Sequence, residues 1–346
     1  MTIVEPARTI VGGVDTHLDV HVAAALDPIG GVLGVEAFTA TPHGYRALLE
    51  WMGAFGSVAK VGVEGTGAYG AGLSRFLARA GVEVIEVDRP NRQMRRLTGK
   101  SDPADALEAA RAVLSGRATG APKSRTGNVE AIRALVVAKR SAREARLRAV
   151  HQMRQLSYTA PDQLRVRLKG LATTEFVDEA AAMRARGGGD TVVLATKIAL
   201  ASLGRRVHAL EAEAAHLDER LAELVEATAP QLLALFGVGI DTAAVLLVAA
   251  GDNPERLRSE AAWAHLCGVA PIEASSGKVT RHRLDRGGDR TANAALWRIV
   301  MTRLSFDPRT RDYMERRQKE GRSKREVIRI LKRYVAREVF KVLPRA

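Results

Sequence analysis

The chain has 346 residues, room for two or three domains, and carries 53 Lys and Arg against 39 Asp and Glu for a formal charge of +14. Hydrophobic residues make up 46%, too many for a disordered chain, and the one cysteine, Cys267, excludes a disulfide framework and a thiolate zinc cluster. No apolar run approaches the ~20 residues of a membrane span, and MTIVEPART lacks a charged-then-apolar leader pattern, so a cytoplasmic protein with no membrane partner is expected.

The first 120 residues alternate strand and helix patterns. Ile10 to Val14 and Val20 to Leu26 predict a hairpin pair, and Val32 to Phe38 a third strand. Residues 43–55 predict a helix. Lys60 to Val63 is a short β-branched run, followed by a helix to about Ala80. Val82 to Val87 predicts a further strand, and Pro103 to Leu114 a helix. Three antiparallel strands followed by α/β alternation is the order of a ribonuclease H-like sheet, not of a doubly wound one.

A long helix is predicted over 128–156, with Lys139, Arg140, Arg143, Arg146, Arg148 and Arg154 along it; Gly187, Gly188 and Gly189 then break the pattern. A second long helix carries a seam of Leu203, Val207, Leu210, Ala214, Leu217, Leu221 and Leu224, the spacing of a coiled coil, pairing within or between chains. Pro230 ends it. Leu235-Phe236-Gly237-Val238-Gly239 before Thr242-Ala243-Ala244 resembles a helix-hairpin-helix, whose glycine turn offers backbone amides to a phosphate; a plain tight turn fits as well. From Ser259 helices are expected, interrupted by a polar, basic loop at 273–293.

Charge is concentrated at the end. Residues 1–275 hold 32 basic and 31 acidic side chains, whereas 276–346 hold 21 and 8, so the excess that attracts a polyanion lies in the last fifth. Of the basic residues 42 are Arg, whose planar fork suits phosphate. Nucleic acid is the partner this favours over an anionic membrane surface.

Four carboxylates stand out. Asp15 closes the first strand in GGVDTHLD, Glu64 closes another in VGVEGTG, and Asp102 and Asp105 share one face at a helix start in KSDPADA. Carboxylates converging on one sheet edge repel unless a divalent cation neutralises them; Mg²⁺ suits such oxygens, as one or two ions, with Mn²⁺ a substitute. Singly each has a bland reading, an N-cap for Asp102 and a solvated strand end for Glu64. Gly65-Thr66-Gly67-Ala68-Tyr69-Gly70 also matches G-x-G-x-x-G, with Asp88 near the place of a ribose-binding acid, so a dinucleotide-binding reading stays open. Glu64 beside a pyrophosphate argues against it. His17 and His265 lack partners at metal-ligand spacing and read as structural or solvated, and Cys267 as a buried small apolar residue.

In GVAPIEASSGKVTRHRLDRGGDRTAN, a serine before Gly277 with Lys278, Arg281, Arg283 and Arg286 close behind suits a nucleophile in an electropositive setting, or simply a solvated turn. The order GVDTHLDVHV, GVEGTGAYG, GKSDPADA, LFGVGIDTAAVLL, GVAPIEASSG and GGDRTANAALWR resembles the DEDD insertion-sequence transposases, the serine recombinases guided by a bridge RNA, and their relatives the Piv-type DNA invertases. The similarity runs from residue 8 to about 300.

That resemblance implies a RuvC-like domain over 1–120, a helical coiled-coil segment over 121–229, and a mostly α-helical transposase domain over 230–346. It makes Asp15, Glu64, Asp102 and Asp105 the metal ligands and Ser276 the nucleophile, with Ser275 as its neighbour and competitor. Gly288-Asp289 departs from the family's Gly-Asn. It also implies double-stranded donor and target DNA, a noncoding guide RNA, a homodimer or homotetramer with composite sites, and a cytoplasmic, nucleoid-associated setting. Lys100, Lys139, Arg140, Arg143, Arg146, Lys278, Arg281, Arg283, Arg286, Gly237 and Gly239 are then the nucleic-acid contacts expected. Two competing readings are a RuvC-like nuclease or junction resolvase using water, and a coiled-coil binding protein with a degenerate sheet domain.

Overall fold

The computed structural model of the chain describes residues 8–87, 101–185, 190–279 and 281–344. It divides into two compact units. The first takes residues up to Gly127, Ala250–Leu266 and those from Leu343 on; the second takes Asn128–Ala249 and Cys267–Val342.

In the first unit, β1 (Thr9–Thr16), β2 (Val20–Leu26) and β3 (Val32–Thr39) form an antiparallel meander. The chain continues through α1 (Pro42–Gly53), β4 (Ser57–Glu64), α2 (Ala71–Arg79), β5 (Glu83–Val87) and α3 (Asp102–Leu114). Strands β4 and β5 run parallel to β1, giving the order β3-β2-β1-β4-β5. This mixed sheet, with three antiparallel strands at one side, is the ribonuclease H-like order expected from the sequence, and not the mostly parallel doubly wound sheet of dinucleotide-binding folds. The strand ends differ from the pattern-based ones by a few residues; β4 starts at Ser57 because its early part, half exposed, lacks an apolar face.

Period-two alternation along β1 sends Ile10 and Val14 into a core with α1 and α2, containing Leu48, Met52, Leu73 and Leu77. Val11 faces the opposite side, with Ala109 and Val113 of α3. Gly13 lies on that side too. A Cβ there would come within 2.7 Å of Ala110 Cα, and one at Gly62 of β4 within 2.7 Å of Val113 Cγ2 and 2.9 Å of the Ala109 carbonyl. Two glycines on adjacent strands, facing an alanine-rich stripe of Ala106, Ala109 and Ala110, let α3 lie almost on the sheet backbone.

The second unit is built on α4 (Asn128–Tyr158) and α7 (Thr191–Thr228), with α5 (Asp162–Leu168) and α6 (Thr173–Ala181) between them. The long helices run antiparallel, as Arg146 pairs with Glu211 while Lys139 pairs with Asp218. Their shared core at one end holds Ala149, Val150, Met153, Leu200 and Val207, closed by Phe176 of α6. Of the seam residues, Val207 and Leu221 are fully buried and the remainder half-buried, so α4 of the same chain covers the seam in part. The break at Gly187–Gly189 lies outside the described residues.

After α8 (Pro230–Leu233) and α9 (Ile240–Ala250) the chain makes α10 (Glu260–Leu266) in the first unit. It returns to the second unit with a hairpin of β6 (Pro271–Glu273) and β7 (His282–Leu284), then α11 (Arg290–Phe306), α12 (Pro308–Lys319) and α13 (Lys324–Val342). The segment expected to be a loop at 273–293 is therefore a two-stranded ribbon at its start. Its strands are short and polar, with no apolar face to betray them.

Candidate active site

The side of β1 and β4 that faces α3 ends in carboxylates. Asp15 follows Val11 and Gly13 along one face of β1, and Glu64 follows Gly62 along the same face of β4. Because β1 and β4 are parallel, both acids arrive at one edge of the sheet. The first turn of α3 brings Asp102 and Asp105, a position where the helix dipole favours negative charge. Asp15, Thr16, His17, Glu64, Gly65, Tyr69 and Asp105 line a cleft of about 290 Å³ at that edge.

Burial sets the electrostatics. Asp15 is 6% exposed and Asp105 4%. Burial pushes the Asp15 carboxyl above the usual range; His17 opposes this, while Asp105 and then Asp102 add to it. The His17 ring is close to both flanking acids, with Nε2 3.1 Å from Asp15 Oδ2 and 3.4 Å from Asp102 Oδ1. One oxygen each of Asp15 and Asp102 and one nitrogen of His17 lie within 4.8 Å of one another. Two buried and two partly exposed carboxylates repelling one another at an open cleft fit a divalent cation.

His17 is the residue that sequence reasoning missed. Its signal is D-x-H at a strand end, where a spacing of two puts both side chains on one face. Thr16 between them points the other way, donating to the Glu64 carbonyl at 2.8 Å and tying the two strand ends together. The glycines of residues 65–70 have local explanations. Gly65 sits at φ +67°, and a Cβ at Gly70 would lie 2.9 Å from the Glu64 carbonyl. Thr66 of this turn donates to Glu86 at 2.5 Å. Asp88 and Lys100 lie outside the described residues.

Ser276 is in the second unit, exposed at the tip of the β6–β7 ribbon. Its N–H donates to the Val279 carbonyl and its carbonyl accepts from the Val279 N–H, with Gly277 at φ +56° in the turn. Ser275 is engaged differently, its hydroxyl accepting from the Arg281 N–H at 3.3 Å. Lys278, Arg281, Arg283 and Arg286 are all exposed around this ribbon. Beside it runs a groove of about 800 Å³ towards α13, lined by Arg281, Arg283, Arg322, Arg329, Lys332 and Arg333 as well as Asp285 and Glu326. Burial and the neighbouring Arg329 push the Lys332 ammonium below its usual range; its Nζ donates to Asn293 Oδ1 at 2.7 Å. Asp289 caps α11, accepting from the Thr291 and Ala292 N–H groups at 2.8 and 3.1 Å. Cys267 is fully buried, its thiol pushed up by burial, as expected of a packing residue.

The basic row on α4 needs correction. Lys139 is 4% exposed and paired with Asp218 and Asp241, so it faces protein, not a polyanion. Arg143 pairs with Asp241 and Asp218, Arg146 with Glu211, and Arg154 lies over the Phe176 ring at 4.0 Å. Arg140 remains 68% exposed, near Glu144. Although burial pushes Asp241 up, hydrogen bonds from Lys139 and Arg143 hold it below the usual carboxylate range. Replacing Lys139 by Ala is expected to lower the unfolding free energy by about 2 kcal/mol in a denaturant titration, discounted from a fully buried pair because both aspartates are partly solvated. At the glycine turn, Gly237 has φ +84°, but the Gly239 N–H already donates to Thr242 Oγ1 at 3.0 Å. Asp241 places a carboxylate in the first turn of α9, so this helix start is poorly suited to an anion.

Residues 12–157 match the sequence model of a DEDD transposase domain of the IS110 type, described as Transposase. Residues 229–315 match the model described as Transposase IS116/IS110/IS902 family. A relative in Streptomyces coelicolor, described as the Insertion element IS110 uncharacterized 43.6 kDa protein, is 30% identical over 149 residues. That match covers 42% of this chain and 36% of the relative, so the chain spans about a third of that relative's length in alignment. No helix among the described residues is long and apolar enough to cross a membrane. Asp15, Glu64, Asp102 and Asp105 all fall inside the first matched region and Ser276 inside the second: the chain carries the two transposase domains of the IS110/IS116/IS902 insertion-sequence family.

Proposed function

We propose that the chain is a DNA recombinase of an insertion sequence, which cuts and exchanges strands through a phosphoserine intermediate under the direction of a noncoding guide RNA. The observation that carries the enzymatic part is the convergence of Asp15, Glu64 and Asp105 on one cleft with Asp102 beside it. Asp15, Glu64, Asp102 and Asp105 hold Mg²⁺, and the two matched regions together with the chain's basic groove support nucleic acid as substrate. The working division is a metal domain over 1–120, a helical segment over 121–229 and a serine-bearing domain over 230–346, acting as a dimer or tetramer.

Bound among the carboxylates, the cation supplies positive charge to the scissile phosphate and its departing oxygen. Ser276 Oγ gives up its proton and forms a bond to phosphorus as the phosphorus–sugar oxygen bond breaks, and the sugar oxygen takes a proton to leave as a hydroxyl. Energy of the phosphodiester is conserved in the serine ester, so religation needs no nucleotide. Arg281, Arg283 and Lys278 hold phosphates near the ribbon, where their charge also favours the serine alkoxide.

The test is a covalent-adduct assay on a denaturing gel with full chain, Mg²⁺, labelled element-junction DNA and the flanking noncoding RNA. A protein-linked DNA band is expected for wild type and absent for Ser276→Ala and Asp102→Ala, and omission of the RNA should abolish it. Nicked DNA without an adduct, unaffected by Ser276→Ala, would instead establish a hydrolytic nuclease.

A further inference from the structure

We infer that His17 is an inner ligand of the divalent cation, giving this site a mixed nitrogen–oxygen donor set that favours Mn²⁺ over Mg²⁺. The inference rests on the metal site proposed above and adds a residue to it. Four observations lead there. His17 stands two residues after Asp15, just past the end of β1 at Thr16, with its ring turned to the Asp15 carboxylate. The His17 backbone is pinned, its N–H donating to the Val20 carbonyl at 3.1 Å in the turn from β1 to β2. Its Nε2 lies between carboxylates from two separate elements, at 3.1 Å from Asp15 and 3.4 Å from Asp102. Finally, the ring lines the same cleft as Glu64 and Asp105, and its side chain is 43% exposed.

A cation drawn to Asp15 and Asp102 meets the nitrogen already standing between them. As a ligand Nε2 would present its lone pair with the hydrogen on Nδ1, so the ring would add a neutral donor and leave the charge of the carboxylate set unchanged. Imidazole nitrogen is a borderline donor that Mn²⁺ accepts more readily than Mg²⁺, which keeps oxygen ligands and water. An all-carboxylate site discriminates less between the two ions.

The experiment is pulsed electron paramagnetic resonance of the full chain loaded with Mn²⁺, with metal affinities measured by calorimetry. Wild type is expected to show ¹⁴N modulation from a directly bound imidazole, lost in His17→Gln, with Mn²⁺ affinity falling about tenfold and Mg²⁺ affinity changing less than about threefold. An absence of ¹⁴N modulation in Mn²⁺-loaded wild type overturns the inference, and needs no variant to fold. Modulation that persists in His17→Gln overturns it as well, by assigning the nitrogen to another residue. An Asp15→Asn arm separates the two claims. If Mn²⁺ binds that variant as tightly as wild type, the carboxylate site itself is wrong; if binding is lost there while wild type lacks the nitrogen signal, only the role of His17 fails.

Discussion

Substituting Asp15 by Asn is expected to reduce metal-dependent strand cleavage about 10³-fold or more while making the metal-free chain more stable at neutral pH. On the proposed metal site the loss follows from removing a carboxylate whose charge would hold the cation, an effect of several kcal/mol on the transition state. The gain in stability has the opposite origin. Burial holds the folded-state pKa of Asp15 above its unfolded value, with Asp105 and Asp102 adding to the push against the relief from His17. Between the two values the folded chain binds more protons than the unfolded chain, so stability falls as pH rises through that window. The stability difference between metal-free Asp15→Asn and metal-free wild type, read by thermal unfolding, should therefore widen in the variant's favour as pH rises above the ordinary carboxylate range. Added Mg²⁺ should raise the melting temperature of wild type and leave the variant unmoved. A difference that narrows as pH rises there would contradict the origin assigned here.

Gly13→Val is the second large effect expected, through geometry and not charge. The first carbon of any side chain at this position is 2.7 Å from Ala110 Cα and meets the backbone of α3 before it meets anything that can rotate aside. The helix has to leave the sheet, carrying Asp102 and Asp105 away from Asp15 and Glu64. A cost of about 3 kcal/mol or more is expected, at the upper end for overpacking because the obstacle is backbone. Gly53→Ala is the matched control. Nothing lies within 4 Å of its Cβ, and it ends α1, so a gain of up to about 1 kcal/mol is expected from helix propensity. Chemical denaturation of the three proteins, with Mg²⁺ titrations on those that fold, checks both.

The strands of the first unit were legible because turn residues bound short runs with two-residue periodicity, as in Val20–Leu26. Asp15 and Glu64 were legible for a related reason: a charge at the end of a buried run has nowhere to go but an edge. What was illegible depended on distant partners. His17 looked solitary because Asp102 is 85 positions away in sequence, and only the close seating of α3 brings it near. Lys139 looked like part of a solvated basic row because Asp218 and Asp241 arrive from other helices. The Ser276 ribbon escaped notice since three-residue strands such as His282–Leu284 are wholly exposed and show no alternation. Local pattern thus placed the carboxylates at strand and helix ends, and packing decided which polar side chains stand beside them.

The first unit is sewn from segments far apart in the chain. Asn253 accepts from the Ser124 N–H at 3.0 Å and donates to the Pro122 carbonyl at 3.0 Å, and Trp263 of the same returning segment is fully buried. During synthesis, Pro122 and Ser124 wait for more than a hundred further residues before these partners emerge. Contacts closed over such a span form late and slow the final assembly. A message cut short before codon 250 would yield the carboxylate-bearing sheet without the returning segment that packs into its unit. Vectorial translation thereby leaves the unit bearing the carboxylates begun first and completed only after the long helices of the second unit, α4 and α7, have been made.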